Sequence, residues 1–276
     1  MTRTVPGAGR RRWLGIFAFL ALAAALMARP AQALDPATTG VVVMHGKWGN
    51  TDSIWPLAQT LRRAGFLVAT PNMPWSGSRR YDHGFTEAMG EIDAAAAHLK
   101  AEGARRIVVA GHSLGANAAL HYASLGRPLA AAVLIAPGQF PDGAVMRGKD
   151  ADDLATAKAM VAAGKGNETR WFTDYNNGGR SRSIRMRASV YLSYYAPRGP
   201  AAMSVSAARI GATPILWVAP TADHLTDVFA RLVRPHFPAT AHVERIDVVA
   251  DHLGAPTAAR TRIVNWLKAL PAPAAR

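Results

Sequence analysis

One serine in the chain stands where its hydroxyl could act as a nucleophile. Residues 111–115 read GHSLG, which places Ser113 at the centre of a G-x-S-x-G pattern. An apolar run at 107–110 precedes the pattern, and an alanine-rich run at 116–123, typical of a helix, follows it. A strand that turns directly into a helix strains the corner residue and lifts its side chain out of the sheet. The pattern therefore predicts a nucleophilic Ser113, because an ordinary tight turn explains the two glycines but not the serine between them.

A serine hydroxyl near neutral pH needs a base to take its proton and an acid to orient that base. Two residues late in the chain could supply them. Asp223 follows an apolar run at 214–218, and His252 follows a weaker one at 243–249. Because the carboxyl ends of parallel strands meet at one edge of a sheet, all three side chains could converge there. The sequence thus predicts Ser113 as nucleophile, His252 as base and Asp223 as acid.

Other side chains compete for these roles, and each could equally be a solvated surface group. His224 is adjacent to Asp223 and is the main rival to His252 as base. The other carboxylates that could serve as the acid are Asp142, Asp227 and Asp251. The sequence contains no spaced His, Asp and Glu cluster typical of a metal site and no glycine-rich phosphate loop. We therefore expect neither a metal nor a cofactor.

Strand and helix patterns alternate along the chain. Apolar runs typical of buried strands occur at 40–44, 66–69, 107–110, 132–135, 214–218 and 243–249. Apolar residues at helical spacing occur at 53–63, 86–102 and 263–270. The alternation predicts an α/β fold, with a mostly parallel sheet of about six strands and helices on both faces.

A long interval at 137–213 interrupts this alternation and shows no strand pattern. It contains a helical stretch at 153–163, a Gly/Asn-rich loop at 176–179 and several aromatic residues between 171 and 195. A connection of this length exceeds an ordinary crossover. We expect a helical, lid-like insertion over the carboxyl ends of the strands, where α/β sheets bind ligands. Packed surface helices without a gating role are the alternative.

These motifs together resemble those of the α/β-hydrolase superfamily, in particular exported bacterial serine esterases and lipases. The resemblance rests on His45-Gly46 after the first strand, on the GHSLG pattern and on the later aspartate and histidine, and it covers nearly all of residues 34–276. It implies that the loop after Gly46 supplies one backbone N–H of an oxyanion hole, from Lys47 or, as second choice, Trp48. The Leu114 N–H, at a helix N-terminus, would be the other donor.

Composition limits the classes of partner. The chain has 276 residues, a formal charge of +14 and no cysteine, which excludes disulfides and a thiol nucleophile. Its length suits one sizeable domain, residues 34–276. Nucleic-acid-binding surfaces usually carry a denser basic stripe with interleaved aromatics. The nearest basic run here is Arg180, Arg182, Arg185 and Arg187, so we expect no nucleic-acid partner.

Residues 1–33 have the composition of a signal peptide. Three consecutive arginines at 10–12 precede an apolar run at 13–27, and Ala31-Gln32-Ala33 offers an A-x-A cleavage site. Spanning a bilayer takes about 20 apolar residues, so an uncleaved membrane anchor is the less favoured alternative. We expect a periplasmic or secreted protein, exported by either the general secretory or the twin-arginine route.

Taken together, these features predict an exported serine hydrolase that cleaves an ester or related acyl bond of a small molecule through an acyl-enzyme. Thioesterase, amidase or peptidase activity on the same fold is an alternative. So is a periplasmic binding protein that keeps the fold but has lost turnover, since fold alone does not establish activity.

The signal peptide can be tested directly. Export should remove residues 1–33 and leave Leu34 as the new N-terminus, because signal peptidases cut after a small residue in an A-x-A context. N-terminal sequencing of the protein from the periplasmic or extracellular fraction measures this. A protein that stays with the membrane and still begins near Met1 would contradict the prediction.

Overall fold

We describe the protein from a computed structural model, in which a parallel sheet forms the centre of the molecule. The described residues are 1–2, 33–143, 148, 150–175 and 179–271. Nearly all of the predicted signal peptide, and the Gly/Asn-rich loop at 176–179 except Gly179, lie outside these ranges. Within them, no helix is both long and apolar enough to cross a lipid bilayer.

The described residues form eight strands and eight α-helices. The strands are β1 (Thr39–Met44), β2 (Leu67–Ala69), β3 (Arg106–His112), β4 (Ala131–Ile135), β5 (Thr169–Tyr175), β6 (Ser181–Arg187), β7 (Ile215–Pro220) and β8 (Val243–Val248). The helices are α1 (Trp55–Arg63), α2 (Ala88–Ala101), α3 (Leu114–Ser124), α4 (Ala151–Ala162), α5 (Ala188–Tyr195), α6 (Met203–Ala207), α7 (Leu225–Leu232) and α8 (Ala255–Ala269).

Six of these strands form one parallel sheet in the order β2-β1-β3-β4-β7-β8. The six strands predicted from apolar runs are the six found, which confirms the predicted α/β class. β1 shows why the runs are continuous, since all six of its residues are buried. A parallel strand covered by helices on both faces has no solvent side on which polar residues would be favoured.

Helices cover both faces of the sheet because successive side chains of each strand point to opposite sides. On β3, Val108 packs in one hydrophobic cluster with Leu57 of α1 and Ile263 of α8. Its neighbour Val109 belongs to the opposite cluster, which includes Ile92 of α2. The sheet is therefore buried between two helical layers, and its carboxyl edge is the place where loops can reach solvent.

The insertion at 137–213 differs from the prediction. We expected a helical segment without strands, but β5 and β6 form an antiparallel hairpin within it. The predicted helix at 153–163 is present as α4, accompanied by α5 and α6. The strands were missed because they lack a continuous apolar run: β6 alternates exposed Arg185 with buried Ile184 and Met186. That period-2 alternation, which we interpreted as a basic run, was the available signal.

Aromatic stacking forms the core of the insertion. The Tyr191 ring of α5 lies between those of Phe172 and Tyr195, at centroid distances of 4.4 Å on both sides. The helix that follows Ser113 is joined to this unit by Asn117 of α3, whose buried amide donates to the carbonyl oxygens of Gln139 (2.6 Å) and Ala201 (2.9 Å). The insertion is therefore packed directly against the helix that begins at the predicted nucleophile.

Candidate active site

Ser113 lies at the corner between β3 and α3, with φ 55° and ψ −119°. A non-glycine residue at positive φ is uncommon and costs on the order of 1 kcal/mol or more. Its backbone N–H donates to the carbonyl of Ile135 on β4 at 3.0 Å, which fixes the corner to the sheet. The strained conformation directs the hydroxyl away from the sheet and into a cavity beside the strand ends.

The two glycines of the pattern allow the chain to fold back on itself. A Cβ built on Gly111 would lie 2.0 Å from the carbonyl oxygen of Gly115, and one built on Gly115 would lie 2.7 Å from that of Met44. Both distances are below any contact that a side-chain carbon can make without moving backbone. The turn from β3 to α3 at residues 111–115, called the elbow below, therefore requires glycine at both positions, as the sequence pattern predicts.

Asp223 and His252 lie on loops that follow β7 and β8. Two backbone hydrogen bonds join these loops, Thr221 N–H to Val248 O (2.9 Å) and Ala222 N–H to Ala250 O (3.0 Å). The side chains then form a chain of contacts: His252 Nδ1 is 2.6 Å from Asp223 Oδ2, and His252 Nε2 is 2.9 Å from Ser113 Oγ. The structure thus brings together the three residues that the sequence analysis singled out.

The Asp223 carboxylate fixes the proton on the imidazole. Its Oδ1 accepts from the Leu225 N–H at 3.0 Å, at the start of α7. Burial raises the pKa of Asp223, but the hydrogen bond and charge of His252 outweigh burial, so the pKa lies below its ordinary value. An ionised carboxylate only accepts, so His252 Nδ1 carries the proton and Nε2 is free to accept one from Ser113.

The rival residues lie elsewhere. The His224 side chain is 73% exposed, and its Nδ1 is 3.9 Å from Asp223, too far for a hydrogen bond. Asp142 accepts a hydrogen bond from Ser204 in the insertion. Asp251 accepts from the Gly254 N–H at 2.7 Å. Only Asp223, of the carboxylates considered in the described chain, contacts the His252 ring.

His112, which precedes Ser113 in the elbow, is hydrogen-bonded to the loop that contains His252. Its Nε2 donates to the backbone carbonyl of His252 at 2.9 Å, and the two rings are 5.1 Å apart. Burial, together with the nearby His252, lowers the pKa of His112 to about 4, so its ring is neutral near pH 7. No pattern in the sequence predicts this contact.

The loop after β1 lies against the elbow. A Cβ on Gly46 would be 3.0 Å from Ser113 Cβ, so the glycine lets this loop approach Ser113. Within the described residues, the backbone N–H groups of Lys47 and Leu114 donate to no other part of the chain, and both residues line the cavity. Two unpaired amides beside a serine hydroxyl are the arrangement that stabilises an oxyanion.

A neighbouring loop, at 71–78, stabilises the conformation of the loop after β1, which contains Lys47 and is called the Lys47 loop below. His45 Nδ1 donates to Gly46 O (2.8 Å), and its Nε2 accepts from the Met73 N–H (3.0 Å). Trp75 accepts from the Trp48 N–H at 2.9 Å through its carbonyl. These bonds stabilise Trp48 at φ 59°, a left-handed conformation that is unfavourable for a bulky side chain.

A cavity of about 300 Å³ opens at this edge of the sheet, beside the Ser113 hydroxyl. Its volume is at the lower end of the range for small-molecule pockets. Backbone and side-chain groups of both polar and apolar character form its walls. Its lining also includes Gln139, Tyr175, Arg180, Ala222, Leu225 and Leu253.

The comparisons with known proteins agree with this architecture. The model of the alpha/beta hydrolase family matches residues 41–266. A search of curated protein sequences found no match. Among solved structures, the monoacylglycerol lipase of Paleococcus ferrophilus is similar, with a TM-score of 0.59 and 20% sequence identity over 85% of this chain and 96% of that one.

Two further solved structures are similar, with comparable TM-scores and sequence identities. A thermostable carboxyl esterase of Bacillus coagulans has a TM-score of 0.62 and 14% identity over 87% of this chain and 92% of its own. The thioesterase domain of the curacin biosynthetic pathway has a TM-score of 0.56 and 15% identity over 84% and 92%. At these identities the similarity shows the fold alone.

Substitution of the elbow glycine tests the close approach. Gly111→Ala should destabilise the protein by at least about 3 kcal/mol or prevent folding, because its Cβ meets backbone atoms that have no room to move. The control is Gly90→Ala at an exposed position of α2, where no atom lies within 4 Å of the added Cβ and helix propensity favours alanine. Urea unfolding of both variants measures the difference, and equal stabilities would contradict the interpretation.

Proposed function

Because the chain belongs to the alpha/beta hydrolase family, we propose that it is a serine hydrolase that cleaves a carboxylic ester or related acyl bond. The observation that carries the proposal is the continuous contact from Asp223 through His252 to Ser113, at 2.6 Å and 2.9 Å. A serine at the end of such a contact is activated as a nucleophile, whereas an isolated buried serine is not.

In the proposed mechanism, His252 Nε2 takes the hydroxyl proton as Ser113 Oγ attacks the acyl carbonyl. The imidazolium that forms is stabilised by the ionised Asp223, whose lowered pKa keeps it charged. His252 then gives the proton to the leaving alcohol, and an acyl-enzyme remains on Ser113. Water, deprotonated by the same histidine, attacks this ester and releases the acid.

The negative charge that develops on the carbonyl oxygen needs fixed donors. We propose the backbone N–H groups of Leu114 and Lys47 for this role, since both flank Ser113 and have no acceptor within the described chain. Loss of one such donor in a hydrolase typically costs about 10²–10³ in turnover. Trp48, the second choice for the loop donor, is less suitable because its N–H already donates to Trp75.

The substrate class follows from the site with less detail. A cavity of about 300 Å³ suits a small acyl ester. The similar solved structures carry the names of a monoacylglycerol lipase, a carboxyl esterase and a thioesterase domain, so oxygen esters and thioesters are both candidate substrates. Assay of p-nitrophenyl esters of increasing chain length, beside a matched thioester, would rank these substrates.

The nucleophile can be tested by substitution. Ser113→Ala should lower ester hydrolysis by at least about 10³-fold and abolish labelling by a fluorophosphonate probe, because the attacking oxygen is removed while a smaller side chain fits the elbow. Ser124→Ala, at the other end of α3, is the matched control and should keep full activity. Substantial activity or labelling of the Ser113 variant would exclude this serine as the nucleophile.

The acid is tested by a set of four amides. Asp223→Asn should leave the protein folded but lower kcat/KM by about 10⁴-fold, because an amide favours the wrong imidazole tautomer. The figure is taken from the comparable aspartate-to-asparagine change in a serine protease of another fold. Asp142→Asn, Asp227→Asn and Asp251→Asn should cost less than about tenfold. All four are measured on one activated ester at constant pH. If Asp142→Asn lost most of its kcat/KM while Asp223→Asn stayed active, the acid would lie after β4 instead.

A further inference from the structure

The insertion contributes a buried carboxylate that contacts the Lys47 loop. Asp174, on β5, has no exposed surface. Its Oδ1 accepts from Lys47 Nζ at 3.0 Å, and its carboxylate also accepts from the Trp48 indole. Lys47 and Trp48 are the two residues that follow Gly46, so this hairpin side chain binds both residues of the loop that supplies the proposed oxyanion donor.

All three donors of the Lys47 ammonium are used in contacts with the insertion. Besides Asp174, the ammonium donates to the Tyr175 carbonyl at 2.7 Å and to the Tyr195 hydroxyl at 3.0 Å. An ammonium has three donors, and these three acceptors satisfy all of them. Burial lowers the pKa of Lys47, and the charge of Asp174 offsets part of that effect. The ammonium therefore depends on Asp174 for compensation of a charge that solvent hardly reaches.

Asp174 in turn is held by groups from three further places in the fold. Tyr81 donates to Oδ2 at 3.0 Å, Arg182 of β6 lies 3.4 Å from the same oxygen, and Tyr195 of α5 donates to Oδ1. Burial raises the pKa of Asp174, but the charge of Lys47 and the hydrogen bonds from Tyr195, Trp48 and Lys47 outweigh burial, so the pKa lies below the ordinary value. The carboxylate is thus fixed in position and charged.

We propose that Asp174 is a positioning residue for the reaction: it holds the Lys47 loop so that the Lys47 backbone N–H points at the oxyanion. The proposal rests on the proposed serine hydrolase function. Without the carboxylate, a buried ammonium loses its counter-charge, and the loop moves to bring Lys47 to water. An oxyanion donor acts only within about 2.7–3.1 Å of the developing charge, and a misplacement of about 1 Å can cost about 10²-fold.

The central experiment compares Asp174→Asn with wild type on an activated ester. We expect kcat to fall about 10–100-fold with little change in KM, because ground-state binding does not use the oxyanion donor. The affinity for phenylboronic acid, whose tetrahedral serine adduct places an oxygen in the oxyanion position, should fall by a similar factor. An unchanged kcat, or a loss confined to KM, would overturn the proposal.

A matched control removes a carboxylate that binds the same types of partner elsewhere. Asp93 on α2 accepts from Arg127 at 2.6 Å and from the Tyr122 hydroxyl at 2.7 Å, at the end of α3 remote from Ser113. Asp93→Asn therefore deletes an ion pair and a tyrosine hydrogen bond without touching the Lys47 loop. It should leave kcat and boronate affinity unchanged, and equal losses in both variants would show only a general structural effect and overturn the proposal.

Lys47→Met separates the tether from the charge, since the backbone N–H remains. We expect a smaller fall in kcat, about five- to tenfold, because the loop is loosened while the buried Asp174 carboxylate keeps the Arg182 guanidinium and the Tyr81 hydroxyl as partners. The kcat of the double variant Lys47→Met/Asp174→Asn should match that of Lys47→Met and exceed that of Asp174→Asn. If Asp174→Asn does not fold, Lys47→Met alone still tests the proposal, because a wild-type kcat in that variant would overturn it.

Hydrogen exchange distinguishes failure of this proposal from failure of the proposed function. In Asp174→Asn, the amides of Trp48 and Gly49, which donate to Trp75 and Gly46 in wild type, should exchange faster while those of β3 do not change. Asp93→Asn should change neither. If wild type hydrolyses no ester and takes no fluorophosphonate label, the proposed function fails, and the exchange result alone decides whether Asp174 holds the loop. Unchanged exchange at Trp48 and Gly49 would show that it does not.

Discussion

The turn at Ser113 is the constraint on which the rest of the site depends. A Cβ on Gly111 would meet the backbone of Gly115, and a Cβ on Gly115 would meet the backbone at the end of β1. The serine between the two glycines has a positive φ. This strain persists because parallel strands on both sides of β3 hold its end in place. The buried sheet therefore stabilises a corner that an isolated strand and helix would not form.

The remaining groups reach Ser113 because the strands end at one edge. The loops after β7 and β8 are bonded to each other, which brings Asp223 and His252 together although they are 29 positions apart in sequence. His112 adds a contact from the elbow to the backbone of His252. Each group of the site is thus fixed by backbone hydrogen bonds or burial, which is the preorganisation that the proposed charge stabilisation requires.

The elements of the sheet and the residues around Ser113 were predictable from local patterns. A continuous apolar run identifies a buried strand, and G-x-S-x-G identifies a turn whose geometry leaves few alternatives. The hairpin of β5 and β6 was not predicted, because its buried residues alternate with arginines and the charges obscured the period-2 pattern. The role of Asp174 was also beyond the sequence. Its partners at 47, 81, 182 and 195 come together only in the folded chain.

The buried ion pair between Lys47 and Asp174 has a consequence for how this protein could have evolved. Connections outside the sheet of a fold usually vary independently of the elements they join. Here the insertion and the loop after β1 share a buried ion pair, and loss of either charge leaves the other with less compensation, so a change in one favours a matching change in the other. The insertion is therefore not freely exchangeable between relatives. Chimeras that carry a foreign insertion are expected to keep activity only when residue 47 is exchanged with it.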